Sequence, residues 1–499
     1  MENKSIPDKW FIIPILILFI NFFYWFIDKS KLLFYFPLDF HNDLSAYMAQ
    51  LHFLKVCGFH NLCSYWYNGF NTFTYSPPGW YFFTYPLYLL FNDVKIATYI
   101  SIISIFVLGF LFLYKFGRLA DLSITKRIAF FVLFFANASA IGNFIRLGRP
   151  HELLSWVFFI VLFFTFYFYI DRKIDWKFYI LSIVYAFIII TYQSIGVLAA
   201  ISWAGFLFSR DNIKEAFKPV IAGIIGLALS AFWLVPFVLG IFSDSSIPEL
   251  KQGEWIWYFG VNSLFTNISI IIVPFIFLVL FYFYYKNNNP SRKDIIFFLP
   301  VFIFSLLFFL RVTPFFPIFD QIYPDPIVHF ILFYAIFFLL KVNISNFTVN
   351  KKKLIFYSLV LVSLLSIVAN IIHTPLFVVP DKVSDKEFIS YLDSVDNRFI
   401  IFVNASKGPF PKAFYSFAAT KNINSISGWY PQEKPYSYIK KMDDAYTSLY
   451  RNDCESFKNN LVYFNTTEVL SDKQYCNQLK DCGLKEKFTK EETCFYVLE

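Results

Sequence analysis

The feature that most restricts this chain is the recurrence, between residues 10 and 372, of apolar runs close to 20 residues long. At that length a helix crosses a hydrocarbon core of about 30 Å, and a backbone with no water to bond must there be helical. The first run, Trp10 to Ile27, follows Lys4 and Lys9 and is not succeeded by a small-residue cleavage site, so it reads as an uncleaved anchor with a cytoplasmic N-terminus. Ten more spans are expected near 95–115, 128–143, 152–170, 178–192, 194–209, 219–241, 268–285, 294–310, 326–340 and 354–372. With 16% charged residues, against about 25% in soluble domains, a single soluble enzyme is excluded.

Charge sets the sides. Tyr75 to Phe91 is apolar enough to span, but a crossing there would put Lys115, Arg118, Lys126 and Arg127 outside, against the Lys/Arg excess that cytoplasmic loops carry. Laid on or into the outer interface, it leaves eleven spans, with 19 Lys/Arg in inner loops, 8 in outer loops and the tail outside. Residues 374–499 hold 16 basic and 17 acidic groups, so the +8 net charge belongs to the span region and reports topology, not nucleic-acid binding. The expected fold is an all-α polytopic membrane domain over 1–373, with outer loops 28–94 and 144–152, and a small extracytoplasmic α/β domain over 374–499.

In that tail, strand-like runs (399–403, 461–464 and 495–498) alternate with helical stretches (384–393, 436–451 and 471–479). Cys57 and Cys63 fall in the first outer loop and Cys454, Cys476, Cys482 and Cys494 in the tail. An oxidising exterior favours disulfides over a metal site, although four tail cysteines allow three pairings. The sequons at Asn404 and Asn465 lie outside and Asn267 at the outer membrane edge. The many Phe and Tyr residues read mostly as lipid-facing bulk.

The spans are nearly empty of ionisable groups, with His329 near the outer end of the tenth and Glu152 at the outer mouth of the fourth; this disfavours a coupled pump or a channel. Polar side chains concentrate in two outer loops. In the first, Asp39, His41 and Asp43 precede Tyr47, Met48, Leu51 and Leu54 at helical spacing, which predicts an amphipathic helix lying on the membrane. Asp43 suits an N-cap; equally, carboxylates and an imidazole four residues apart suit a general base or a metal ligand facing a lipid-borne substrate. The second loop, Arg146-Leu-Gly148-Arg149-Pro-His151-Glu152, offers guanidinium groups for bidentate phosphate binding and a second acid; its other reading is an ordinary juxtamembrane loop.

One anchor span, an outer loop with Asp43 and Tyr47 on a surface helix, Pro77-Pro78-Gly79 about 30 residues on, and a span ending at Lys115 and Arg118 together resemble the GT-C membrane glycosyltransferases, nearest to protein O-mannosyltransferases and aminoarabinose transferases. The sequence is also similar to an integral-membrane group labelled as related to 6-pyruvoyl-tetrahydropterin synthase, although nothing in it resembles a soluble pterin enzyme. The GT-C resemblance covers residues 1 to about 210. Ser76 stands where that family usually has a basic residue, and Glu152 where it usually has Asp.

The resemblance implies an inverting transfer of a sugar from a polyprenyl-phosphate carrier to an unknown acceptor at the outer leaflet of the cell membrane. Asp43 takes the first catalytic role and Glu152 the second, with Asp39 and His41 as alternates. Arg149 and Arg146 would hold the carrier phosphate, with Tyr47 and His151 as further substrate contacts, and Glu152 and Arg149 are expected in one outer pocket with Asp43. No cofactor is required by any pattern, although two acids would suit Mg²⁺ or Mn²⁺. The alternative is a non-enzymatic lipid-glycan transporter or envelope assembly protein with an outer binding domain, which predicts polar residues through several spans.

Overall fold

The computed structural model describes residues 6–35, 43–241, 258–259, 264–345, 347–374, 376, 383–403, 410–431 and 434–499. All eleven expected spans are helical: Ile12–Lys29, Val94–Phe116, Ile124–Phe135 with its continuation to Arg146, Pro150–Tyr169, Ile180–Thr191, Gln193–Phe208, Ile213–Ile241, Leu264–Asn288, Arg292–Phe309, Pro324–Lys341 and Val349–His373. Seven helices among the described residues are long and apolar enough to cross a membrane, and a bent pair makes eight. The protein is therefore a multi-pass membrane protein. Trp176–Thr191 and Gln193–Phe208 are apolar but shorter, and Arg292–Phe309 opens with three charged residues.

The chain forms two compact units. The first comprises Met1–Lys29, Ile102–Leu234 and Gln252–Leu376. At its centre lie Pro150–Tyr169 and Pro324–Lys341, each 78% buried, whereas the other long spans are buried between 17% and 44%. A helix surrounded by helices buries its whole circumference, so its aromatic bulk turns inward. Phe159 packs on Phe330, with ring centres 5.7 Å apart, and Phe163 on Phe333 at 5.0 Å. For these central helices the expectation of lipid-facing Phe is overturned.

Several basic residues of this unit donate to backbone carbonyls, two of them at helix C-termini, which leave such groups unpaired. Lys126 donates to Leu340 O (2.9 Å), Lys341 to Ala120 O (2.9 Å) and Lys218 to Ile174 O (3.1 Å). The third expected span is broken rather than straight, with a 54° bend. Asn137 accounts for the break: its amide donates to Leu133 O and Phe134 O, and its Oδ1 accepts from Ala140 N–H, ending one helix and capping the next.

The second unit comprises Ser30–Ser101, Val235–Lys251 and Phe377–Glu499. Its sheet has the order β3-β4-β6-β5, from β3 (Phe399–Phe402), β4 (Glu468–Asp472), β5 (Lys485–Thr489) and β6 (Thr493–Val497); β3 and β4 are parallel and the other pairs antiparallel. Residues 461–464, expected as a strand, instead end the helix Cys454–Tyr463. Three disulfides join Cys57 to Cys63, Cys454 to Cys482 and Cys476 to Cys494.

The helix Leu44–Val56 is not an amphipathic surface helix, since ten of its thirteen residues are buried. Ala46, Ala49 and Phe53 pack with Ile400 and Phe402 on one face of β3, while Leu44 and Met48 pack with Phe399 and Ile401 on the other. The following hairpin, β1 (Leu62–Cys63) and β2 (Phe70–Asn71), is stitched to distant segments: Asn68 donates to Phe464 O (2.8 Å) and Ser425 N–H to Tyr65 O (3.0 Å). Trp66 lies so close over Gly428 that a Cβ there would come within 2.6 Å of the indole, so only glycine fits. The first loop thus supplies part of the core around the C-terminal sheet, although the sequence reading divides the two at residue 373.

Candidate active site

Asp43, Tyr47 and Gln50 follow one another at helical spacing and share a face of the Leu44–Val56 helix. Asp43 occupies the N-cap position, yet its side chain makes no cap hydrogen bond. The C-terminal segment contributes Tyr430, whose hydroxyl interacts with Ser76, Gln50 and Tyr47 and feels the charge of Asp43. Ser76 also bonds the Tyr81 hydroxyl at 3.1 Å, and the Tyr47 ring lies tilted against Trp80 with centres 6.3 Å apart. Gln50, Ser76 and Tyr81 are buried, and Asp43, Tyr47 and Tyr430 are half-buried.

Burial, reinforced by Tyr430, pushes the Tyr81 hydroxyl well above the usual phenol range; burial, reinforced by Asp43, does the same to Tyr430. Both hydroxyls therefore keep their protons and can donate them in hydrogen bonds. Burial lowers the pKa of the Lys412 ammonium, and the Asp43 carboxylate pulls it partway back. Among the described residues the cluster places one carboxylate among neutral hydroxyls and an amide, with the Lys412 ammonium acting on it.

The first unit holds a different cluster. The π-helix Ile141–Arg146 leads through Gly148, at a positive φ of 67°, and Arg149 to Pro150, the first residue of its helix, where proline's missing N–H costs nothing. This turn sets Glu152 in the first helical turn, fully buried, and Arg149 between two acids: its guanidinium is 3.9 Å from Glu152 Oε2 and 3.7 Å from Asp325 Oδ2. Trp156 donates to Glu152 Oε1 at 3.3 Å, and His329 Nδ1 lies 2.9 Å from the Asp325 carbonyl and 3.9 Å from Glu152 Oε1. Both carboxylates sit in first turns, where the helix dipole favours them. Arg146 and His151 are buried nearby in sequence, 3% and 2% exposed.

Asp39 and His41 lie outside the described residues. The structure brings Tyr47 to Asp43, and Arg149 to Glu152. Asp43 and Glu152 belong to different units. Among the described residues no three His, Cys, Asp or Glu side chains are grouped to hold a metal ion. Sequence reasoning missed Asp325, although an acid at the start of an apolar run was the available signal. It also missed Gln50, which continues the helical spacing of Asp43 and Tyr47, gave Ser76 no role at the site, and missed Tyr81, Lys412 and Tyr430, which no local pattern marks.

No protein-family model matches the chain, and no curated protein matches it either. Solved structures do. The mycobacterial arabinofuranosyltransferase AftD aligns with a TM-score of 0.60 at 12% identity, over 99% of this chain and 40% of its own length. The archaeal oligosaccharyltransferase AglB from Archaeoglobus fulgidus, solved with an inhibitory peptide and a dolichol-phosphate, aligns at 0.52 and 10% identity over 92% and 69%. ArnT from Cupriavidus metallidurans, bound to undecaprenyl phosphate, aligns at 0.51 and 10% identity over 97% of each chain. The chain thus spans less than half the length of AftD. It has the fold of the GT-C membrane glycosyltransferases.

Proposed function

We propose that the chain is a membrane glycosyltransferase that moves a sugar from a polyprenyl-phosphate carrier to an acceptor at the outer membrane face, with an inverting displacement. In this reading the N-terminus and the Lys/Arg-rich loops face the cytoplasm. The observation that carries it is Asp43: its carboxylate is not spent on a helix cap and stands among hydroxyls that stay protonated. The likeness in fold to AglB and ArnT, solved with dolichol-phosphate and undecaprenyl phosphate, supports a lipid-phosphate donor.

Asp43 would take the proton of an acceptor hydroxyl as its oxygen attacks the anomeric carbon, and the carrier phosphate would leave with the electron pair of the broken C–O bond. Arg149 and Arg146 would bind the carrier phosphate, Glu152 would position the sugar or acceptor, and Tyr47 and His151 would add substrate contacts. Because two carboxylates already hold Arg149, a phosphate must compete for it. The test is transfer of labelled sugar from polyprenyl-phosphate donors by purified protein in lipid. Asp43→Asn should fold and fail to transfer; wild-type transfer by that variant removes Asp43 as base.

A further inference from the structure

Gln50 lies three residues after Tyr47 and seven after Asp43, on the same helical face. It is fully buried, and neither Oε1 nor Nε2 of its amide makes a hydrogen bond of good geometry. Tyr430 comes near it, but that hydroxyl has one proton and is shared with Ser76 and Tyr47. A buried amide left unpaired costs about 1–3 kcal/mol, which a leucine of similar size would avoid. A group retained at such a cost, beside a half-buried carboxylate, is positioned for a ligand.

We propose that Gln50 is the recognition residue of a subsite beside Asp43 that takes an uncharged, hydroxyl-rich group of the acceptor, a sugar or similar polyol. The chemistry of the walls selects it. An amide offers two donors and an acceptor, and Tyr47, Ser76, Tyr81 and Tyr430 each offer a hydroxyl that both donates and accepts, which is the pairing pattern of a polyol. An anion would meet the Asp43 carboxylate. The inference rests on the reading of Asp43 as base, but its test reads binding and stability rather than turnover, so the two fail separately.

The full chain is placed in lipid nanodiscs as wild type, Gln50→Leu and Tyr430→Phe. Binding of methyl α-D-mannopyranoside is followed by saturation-transfer NMR, with inorganic phosphate as competitor, and unfolding by thermal scan. Gln50→Leu should melt at or above the wild-type temperature while its affinity for the glycoside falls roughly tenfold, the loss of one or two buried hydrogen bonds. Tyr430→Phe should weaken binding less, and phosphate should not displace the glycoside. The proposal is overturned if wild type gives no saturation transfer, if Gln50→Leu binds normally, if phosphate displaces the glycoside, or if Gln50→Leu unfolds or melts several degrees lower, which would mean that the amide is bonded for structure.

Discussion

Around Asp43 the described residues supply mostly hydroxyls and an amide, with the Lys412 ammonium, whereas around Glu152 two carboxylates, a guanidinium and an imidazole hold one another at the ends of two central helices. Solvation explains the contrast. A buried charge persists only where opposite charges and hydrogen bonds replace water, so the second cluster is bound to the fold that encloses it. Neutral hydroxyls carry no such obligation, and a half-buried carboxylate among them can gain a proton without disturbing the packing. Changes at the first cluster should therefore register in chemistry, and changes at the second in stability.

Four substitutions probe that contrast. Asp43→Asn should lower transfer by about 10²–10⁴-fold, the usual contribution of a general base, with thermal unfolding unchanged because no cap bond is lost. A comparable loss of stability in that variant would erase the distinction. Arg149→Ala should cost about 3 kcal/mol in denaturant unfolding, because Glu152 is left buried without its cation, and adding Glu152→Gln should restore part of it. If Arg149→Ala is fully stable and only the KM for the carrier rises, the guanidinium serves the phosphate instead.

Replacing Cys476 and Cys494 by Ser opens an 18-residue loop between a helix and β6 and should cost about 3 kcal/mol in the second unit. An unchanged unfolding midpoint would show that packing alone fixes that edge. The smallest effect is expected at His52, which bonds the Tyr88 hydroxyl (2.9 Å) and Asn422 Oδ1 (2.8 Å). Burial lowers its pKa, against a partial lift from Asn422, so the unfolded chain binds the proton more readily. Stability should be complete above about pH 6.5 and fall below it by at most about 1.4 kcal/mol per pH unit, and His52→Gln should flatten that slope.

What the sequence reveals follows from the range of the forces involved. The helices at all eleven expected spans are visible because a long apolar run is a local property, and so are β3, β6 and the helix Tyr436–Tyr450. The strand Glu468–Asp472 escapes notice because acids stand at both ends, yet Glu468 is buried, accepting from Asp396 N–H, Asn397 N–H and Lys487. Helix Leu44–Val56 misleads because Ser45, Gln50 and His52 mimic a wet face, whereas contacts with residues hundreds of positions away bury them. The shared helix face of Asp43 and Tyr47 is legible from their spacing. Tyr430 is not, since only the folded chain brings it there.

The first loop and the C-terminal sheet share one core, and this bears on how the protein is made. A ribosome delivers Leu44–Val56 long before β3 exists, so Ala46, Ala49 and Phe53 must wait while several hundred residues are synthesised. Such non-local closure is slow, and the waiting surface is prone to aggregation. A chain that stops short of its final strands would keep its membrane helices and lose the surroundings of Asp43, which makes completion of synthesis a precondition for assembling the site.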